Sequence, residues 1–377
     1  MMHVGHLRCV ACGEVYPPDE IRYRCSCGAS LDVSYDYTEI DGLTWDDLRS
    51  HRFDHARYRP FLPVVDPANL VTMGGGGTPL VDSTALHEQV GADLVFKLES
   101  SNPTGSFKDR GTAVELGTAL DHGAREVVVA STGNMGASIA AYTARAGVDA
   151  RIYVPDDTGG PKLKQMESHD ADVVAVDGDY AVAAEQAWQD WEEQERYLMG
   201  DYPYRGEGEK TVGFEIADQL GRRDLSDVAV VLPVGNGTLL HAAWKAFEEL
   251  EIVGLLDGTP RMIGVQAEGC NTVVNALQKG FTQVEPVDKV DTVAGAIACA
   301  DPLDGDQALQ AIQESGGTGI AVGDDAIMAA KQELAQEEGI YAEEAAAAAW
   351  AGATRLREEF DRDETVVLPV CGHGLKT

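Results

Sequence analysis

The sequence predicts an α/β protein with mostly parallel, doubly wound sheets, and two observations carry the prediction. From residue 93 onward, short valine-rich runs alternate with helical stretches, as strands do when crossover helices join them. Three loops rich in glycine, serine and asparagine, after residues 98, 130 and 233, fall between a strand and the following helix. In such sheets, sites lie beyond the carboxyl ends of strands. At 377 residues the chain is long enough for two or three domains.

The N-terminal region carries Cys9-Val10-Ala11-Cys12 and, twelve residues on, Cys25-Ser26-Cys27, with Gly13 and Gly28 behind the two pairs. Close cysteine pairs followed by glycine suit two thiolate knuckles gripping one tetrahedral zinc. A metal-free relic of such a ribbon is the plainer alternative, and a disulfide is disfavoured in a reducing cytoplasm. Residues 1–35 are therefore predicted to form a zinc-ribbon or rubredoxin-like appendage with Cys9, Cys12, Cys25 and Cys27 as structural ligands. Residues 36–76 are rich in Tyr, Pro, Arg and His, lack periodicity, and read as a connector. Gly74 to Gly77 precede Thr78-Pro79-Leu80 without the Lys-Ser/Thr of a phosphate loop.

Residues 93–98 read as a strand, Asn102 to Gly105 as a turn, and the residues from Ser106 as a helix. Lys108 thus falls in a first helical turn directly behind a strand. The partial positive charge of a helix N-terminus disfavours an ammonium there, so the lysine is expected to be easier to use as a neutral amine nucleophile. The bland alternative is a surface lysine at a loop–helix junction. Further strands are expected at 126–130, 149–155, 171–176, 227–233, 261–268 and 365–370, with helices at 135–146, 161–169, 180–195, 212–220 and 238–250. Domain boundaries are expected at 77–205 and 206–377.

Ser131-Thr132-Gly133-Asn134 lies where a strand turns into a helix, so its amides can receive an anion; a plain N-cap by Ser131 or Thr132 is compatible with that. In Val234-Gly235-Asn236-Gly237-Thr238, small residues let successive amides converge on a phosphate, and Thr238 adds a hydroxyl. Arg205 lies in Tyr202-Pro203-Tyr204-Arg205-Gly206-Glu207-Gly208-Glu209-Lys210-Thr211; its guanidinium suits a phosphate, or else pairs with Glu207 at the surface. The chain closes on Cys371-Gly372-His373-Gly374-Leu375-Lys376, where His373 reads as a loop residue rather than a base.

Ser101-Asn102-Pro103-Thr104-Gly105-Ser106-Phe107-Lys108-Asp109-Arg110 resembles the lysine motif of fold-type II pyridoxal-phosphate enzymes, most closely that of the threonine synthases. The likeness spans nearly the whole chain and includes the N-terminal ribbon. It implies two doubly wound domains, the first with a mobile subdomain, and pyridoxal 5'-phosphate held as an aldimine on Lys108. It further implies Phe107 near the ring, Asn134 on the ring oxygen, Gly235, Asn236, Gly237 and Thr238 on the 5'-phosphate, and Cys371 facing the ring nitrogen. Ser131, Thr132 and Gly133 would hold the substrate carboxylate and Arg205 the phosphate of O-phosphohomoserine, with a homodimer as the family habit. Four residues depart from the pattern around that phosphate: Met199-Gly200 for an asparagine-serine pair, Met135 for a threonine and Ala298 for an arginine. These departures, with Cys371, keep a second activity in view: β-elimination or β-replacement on a hydroxy or O-activated amino acid, as in serine or threonine dehydration.

Twenty-nine basic residues against sixty-three acidic ones give a net charge of −34. Such self-repulsion is screened at high salt, which points to a salt-rich cytoplasm and argues against nucleic acid or an anionic membrane as partners. Glu192-Glu193, Glu248-Glu249 and Glu343-Glu344 read as solvated helix faces. No apolar run reaches the length of about 18 residues that a membrane helix needs. The first residues carry neither the basic nor the apolar segment of a signal peptide, so the cytoplasm is the expected compartment. The expected partner is a small amino-acid substrate.

Overall fold

The computed structural model describes residues 4–194 and 196–377. Met1 to His3, and Glu195 at the end of a predicted helix, lie outside the described residues. Among the described residues thirteen strands occur in chain order: β1 (Val4–Cys9), β2 (Val15–Tyr16), β3 (Leu31–Tyr35), β4 (Leu80–Asp82), β5 (Asp93–Lys97), β6 (Glu126–Ala130), β7 (Asp149–Pro155), β8 (Asp172–Val176), β9 (Tyr197–Leu198), β10 (Val228–Pro233), β11 (Arg261–Ala267), β12 (Thr318–Val322) and β13 (Thr365–Pro369). They form a three-stranded sheet β2-β1-β3, a six-stranded sheet β12-β11-β10-β13-β5-β4 and a four-stranded sheet β8-β7-β6-β9. The ribbon is antiparallel; in the two larger sheets only the pairing of β4 with β5 is antiparallel.

Two of these strands fall within residues 77–205 but join the larger sheet. β4 and β5 pair not with β6–β9 but in the large sheet, with β5 beside the C-terminal β13 in the register Thr365↔Asp93 to Pro369↔Lys97. The alternation of strand and helix reveals layers, whereas the sheet a strand joins depends on pairing across hundreds of residues, which no local pattern records. β10 and β13 are buried throughout, so they read as continuous apolar runs, as parallel strands covered on both faces do.

The ribbon packs onto the body through buried polar contacts. Lys245 Nζ lies 2.7 Å from Asp32 of β3 and 2.7 Å from Glu207, and the Tyr35 hydroxyl donates to Glu207 at 2.5 Å. Lys210 pairs with Glu207 and, at 2.8 Å, with Glu249. The expectation that the Glu248-Glu249 and Glu343-Glu344 pairs are solvated fails for one member of each, since Glu249 and Glu343 are both buried. Each meets a donor far away in sequence, Lys210 for Glu249 and Asn134 for Glu343. The four cysteine Sγ atoms lie within 4.8 Å of one another, with Cys9–Cys27 and Cys12–Cys25 both at 3.6 Å. Four thiolates around one zinc stand about 3.8 Å apart, so this donor set fits the ion.

The helix Lys108–Asp121 is anchored by a second buried charge cluster. Arg110 donates to Glu99 at 2.6 Å and to Glu215 at 2.7 Å, and Lys97 pairs with Glu215 at 2.6 Å. Glu215 also accepts the Gly77 amide at 2.6 Å, which fixes the chain to the core directly behind the connector. Gly77 has φ +59, and a Cβ there would stand 2.0 Å from the Phe53 carbonyl oxygen, so only glycine fits the turn.

Candidate active site

The carboxyl ends of β5 and β13 lie side by side, and their loops are stitched together. The Phe107 amide donates to the Cys371 carbonyl at 3.0 Å, the His373 amide donates to the Gly105 carbonyl at 2.9 Å, and Ser106 bridges Gly372. Lys108, the first residue of its helix, is thereby fixed beside Cys371 although 263 positions separate them in sequence. Asp109 braces the turn, accepting the Thr104 amide at 2.8 Å and the Ser138 hydroxyl at 2.7 Å.

Lys108 Nζ lies 3.0 Å from Glu209, 3.4 Å from Asp201 and 4.7 Å from the centre of the Phe107 ring. Here the structure corrects the expected electrostatics. Burial does push the lysine toward the neutral amine, but Asp201 and Glu209 outweigh it and hold its pKa above the usual lysine value. The helix terminus is a minor influence beside two carboxylates at contact distance.

Asn134 opens the helix Asn134–Ala146. Its Nδ2 donates to both carboxylate oxygens of Glu343, at 2.9 and 3.0 Å, while its Oδ1 is buried without a hydrogen-bond partner. Ser131 Oγ accepts the amides of Gly136 at 2.9 Å and Gly133 at 3.3 Å, so it turns the chain into the helix, and Thr132 and Gly133 are half-buried beside it. In the third loop, Gly237 has φ +95, and a Cβ on it would stand 2.5 Å from the Asp304 carbonyl oxygen. A Cβ on Gly235 would press on Ala296 and Ile297. The helix Thr238–Ile252 behind it has no side-chain cap. Thr238 Oγ1 donates to Asp304 at 2.6 Å, and Asn236 donates to Asp201 at 2.5 Å while accepting the Leu303 amide at 3.0 Å.

Cys371 is buried, with Sγ 3.4 Å from the Pro369 carbonyl oxygen. Burial, with Glu99, Glu343 and Glu209 around it, holds its thiol far above the ordinary cysteine range, so it is neutral. His373 accepts the Leu375 amide through Nδ1 at 3.1 Å and shapes the final turn. A cleft of about 300 Å³ opens beside Glu343 and is lined also by Lys162, Ala296 and Lys376.

Arg205 is fully buried on the helix Pro203–Glu209. Nη2 donates to Glu115 at 2.7 Å, Nε donates to the Gly200 carbonyl at 2.9 Å, and among the described residues Nη1 has only Thr112 Oγ1 at 3.4 Å. The alternative surface pair with Glu207 does not form, because Glu207 is taken by Lys210 and Lys245. Burial pushes the Glu115 carboxyl up to about 7 against the pull of Arg205.

These residues fit pyridoxal 5'-phosphate. An uncapped helix end behind two glycines suits a phosphate, a lysine waits for an aldehyde, a neutral thiol suits an unprotonated ring nitrogen, and Asn134 Oδ1 and Ser106 Oγ are buried with unmet hydrogen-bonding capacity. Sequence reasoning missed Asp201, Glu209, Glu115 and Glu343. Glu209 was open to inference, since it follows Arg205 by one helical turn and so shares its face; the other three carried no local signal.

The family model for pyridoxal-phosphate dependent enzymes matches residues 71–372. The solved tomato threonine deaminase isoform 2 superimposes with a TM-score of 0.68 at 25% identity, over 78% of this chain and 79% of that one. Maize serine racemase shares the fold with a TM-score of 0.69 at 21% identity, over 79% and 88% of the two chains. The chain is 41% identical to the threonine synthase of Methanocaldococcus jannaschii, over 98% of this chain and 92% of the relative. The Mycobacterium tuberculosis threonine synthase is 40% identical over 85% and 88% of the two chains. The chain belongs to the threonine synthase family of pyridoxal-phosphate dependent lyases. Its cofactor is pyridoxal 5'-phosphate and its substrate a small amino acid.

Proposed function

We propose that this lyase converts O-phospho-L-homoserine and water into L-threonine and phosphate. The observation that carries the reading is the buried Arg205, whose Nη1 has, among the described residues, a single long contact beside Lys108 and so has capacity for a substrate phosphate. Glu115 and the Gly200 carbonyl hold the rest of the guanidinium in place. When bound, the cofactor supplies an electron sink for the carbanion left by loss of the α-proton. Lys108 would hold the cofactor covalently, and its amine would serve as the base for that proton. Phe107 would pack near the ring, and Asn134 would orient it through the ring oxygen. Cys371 would leave the ring nitrogen unprotonated, and Gly235 to Thr238 would hold the 5'-phosphate. Ser131, Thr132 and Gly133 receive the substrate carboxylate.

The charge balance favours a salt-rich cytoplasm, with neither nucleic acid nor membrane as partner, and the family habit favours a homodimer. The thiol spacing favours one structural zinc on Cys9, Cys12, Cys25 and Cys27. One observation favours a second reading, dehydration of serine or threonine: Met135, Gly200 and Ala298 offer no polar side chain to a phosphate, and Glu115 already occupies Arg205. Comparing kcat/KM for phosphate release from O-phospho-L-homoserine with that for keto-acid formation from L-threonine and L-serine, in high salt, separates the two. A larger value for the phosphorylated substrate is expected; keto acid without phosphate release would establish the second reading.

A further inference from the structure

Glu209 is the one buried carboxylate in contact with Lys108 that has an oxygen to spare among the described residues. Oε1 lies 3.0 Å from Lys108 Nζ, and Oε2 is buried without a hydrogen-bond partner. Asp201 is farther from the lysine, at 3.4 Å, and is engaged by the Asn236 amide. The charged and titratable groups facing the pair are Asp201, Arg205 and the Cys371 thiol.

We propose that Glu209 is the proton partner of Lys108, a positioning residue that takes the lysine's proton between successive steps and returns it. The proposal rests on the threonine-forming reading, in which one substrate loses protons from two adjacent carbons before one is returned at the third. Lys108, as a neutral amine, accepts the α-proton and becomes an ammonium, and the C–H electron pair stays on the substrate. The ammonium passes its proton to Glu209 Oε1, leaving a carboxylic acid and a free amine able to remove the β-proton. The acid later gives its proton back to the lysine for delivery to carbon. Atoms and charge balance without any outside reagent. Burial raises the affinity of Glu209 for a proton, while Asp201 and Glu209 hold that of Lys108 up as well, so the 3.0 Å contact and the spare oxygen, rather than matched affinities, carry the assignment.

The test uses L-2-aminobutyrate, which has α- and β-hydrogens and no leaving group, with the holoenzyme in D2O and hydrogen exchange followed by NMR. Glu209→Gln keeps the shape and removes the proton acceptor. It is expected to slow β-exchange about tenfold or more while α-exchange stays near the wild-type rate; Glu209→Asp should recover part of the loss. Amine labelling of the cofactor-free protein, read by peptide mass spectrometry, supplies a readout independent of turnover. In Glu209→Gln, Lys108 should become reactive at a pH about one unit lower. Equal loss of both exchanges, no change in either, or an unmoved labelling profile would overturn the relay. A wild-type enzyme that exchanges no α-hydrogen would instead overturn the lyase reading on which the relay rests.

Discussion

Arg205 donates to Glu115 at 2.7 Å with both side chains buried, so the guanidinium assigned to the substrate phosphate already has an anionic partner. A phosphate at this place competes with Glu115 for the same cation. Glu115 has its pKa raised by burial to about 7, so it is largely neutral below that pH and a carboxylate above it. The KM for O-phospho-L-homoserine should therefore rise as pH climbs through 7, and Glu115→Gln should flatten that rise. A wild-type profile unchanged by the substitution would mean that Glu115 does not gate Arg205. Arg205→Gln should raise KM by about 10- to 100-fold, the worth of a charged hydrogen bond of about 1.5–3 kcal/mol, while the cofactor absorbance persists.

Lys108→Ala should abolish turnover and the covalent cofactor band while leaving the far-UV circular dichroism unchanged. It also strips the buried Glu209 of its cationic partner, and removing one partner of a buried pair costs about 3–5 kcal/mol. The Tm should fall, and Lys108→Ala/Glu209→Gln should recover part of the fall. An active Lys108→Ala enzyme would refute the assignment.

Cys371→Asp places an acid where a neutral thiol stands and would favour a protonated ring nitrogen. Turnover should drop by about 100-fold or more, whereas Cys371→Thr should stay within reach of wild type. Equal activity of the aspartate and threonine variants would remove Cys371 from the chemistry.

The ribbon should carry one zinc per chain by elemental analysis. Cys12→Ser should lose it and lower the Tm, because Asp32 and Tyr35 of β3 hold Lys245 and Glu207 against the body. Metal-free protein with unchanged Tm would leave the cysteines without a structural ion. The net charge of −34 predicts that Tm rises with salt over the range where the Debye length shrinks from about 10 to 3 Å.

What could be read from the chain alone depended on how local the signal was. β6 and β7 begin and end at the residues expected, because valine-rich runs between polar turns mark a buried strand. The helix Glu344–Arg355 escaped because residues 345–353 are buried all round, which leaves no polar stripe to give it a period. β4 and β9, of three and two residues, are too short to carry any pattern. In the site, the three loops and Lys108 were legible as chain-local motifs. The meeting of Lys108 with Asp201 and Glu209 was not, since these reach it across 93 and 101 positions, although the helical spacing from Arg205 placed Glu209 on the same face. They also reverse the electrostatic argument built on the helix terminus, which could weigh only what lies next to the lysine in sequence.

The most direct test of the account is to run O-phospho-L-homoserine through the enzyme in water enriched in oxygen-18 and weigh both products by mass spectrometry. Phosphate lost from Cγ with water added at Cβ predicts threonine carrying one heavy oxygen in its hydroxyl and phosphate carrying none. Unlabelled homoserine with labelled phosphate, or a keto acid in place of threonine, would contradict it.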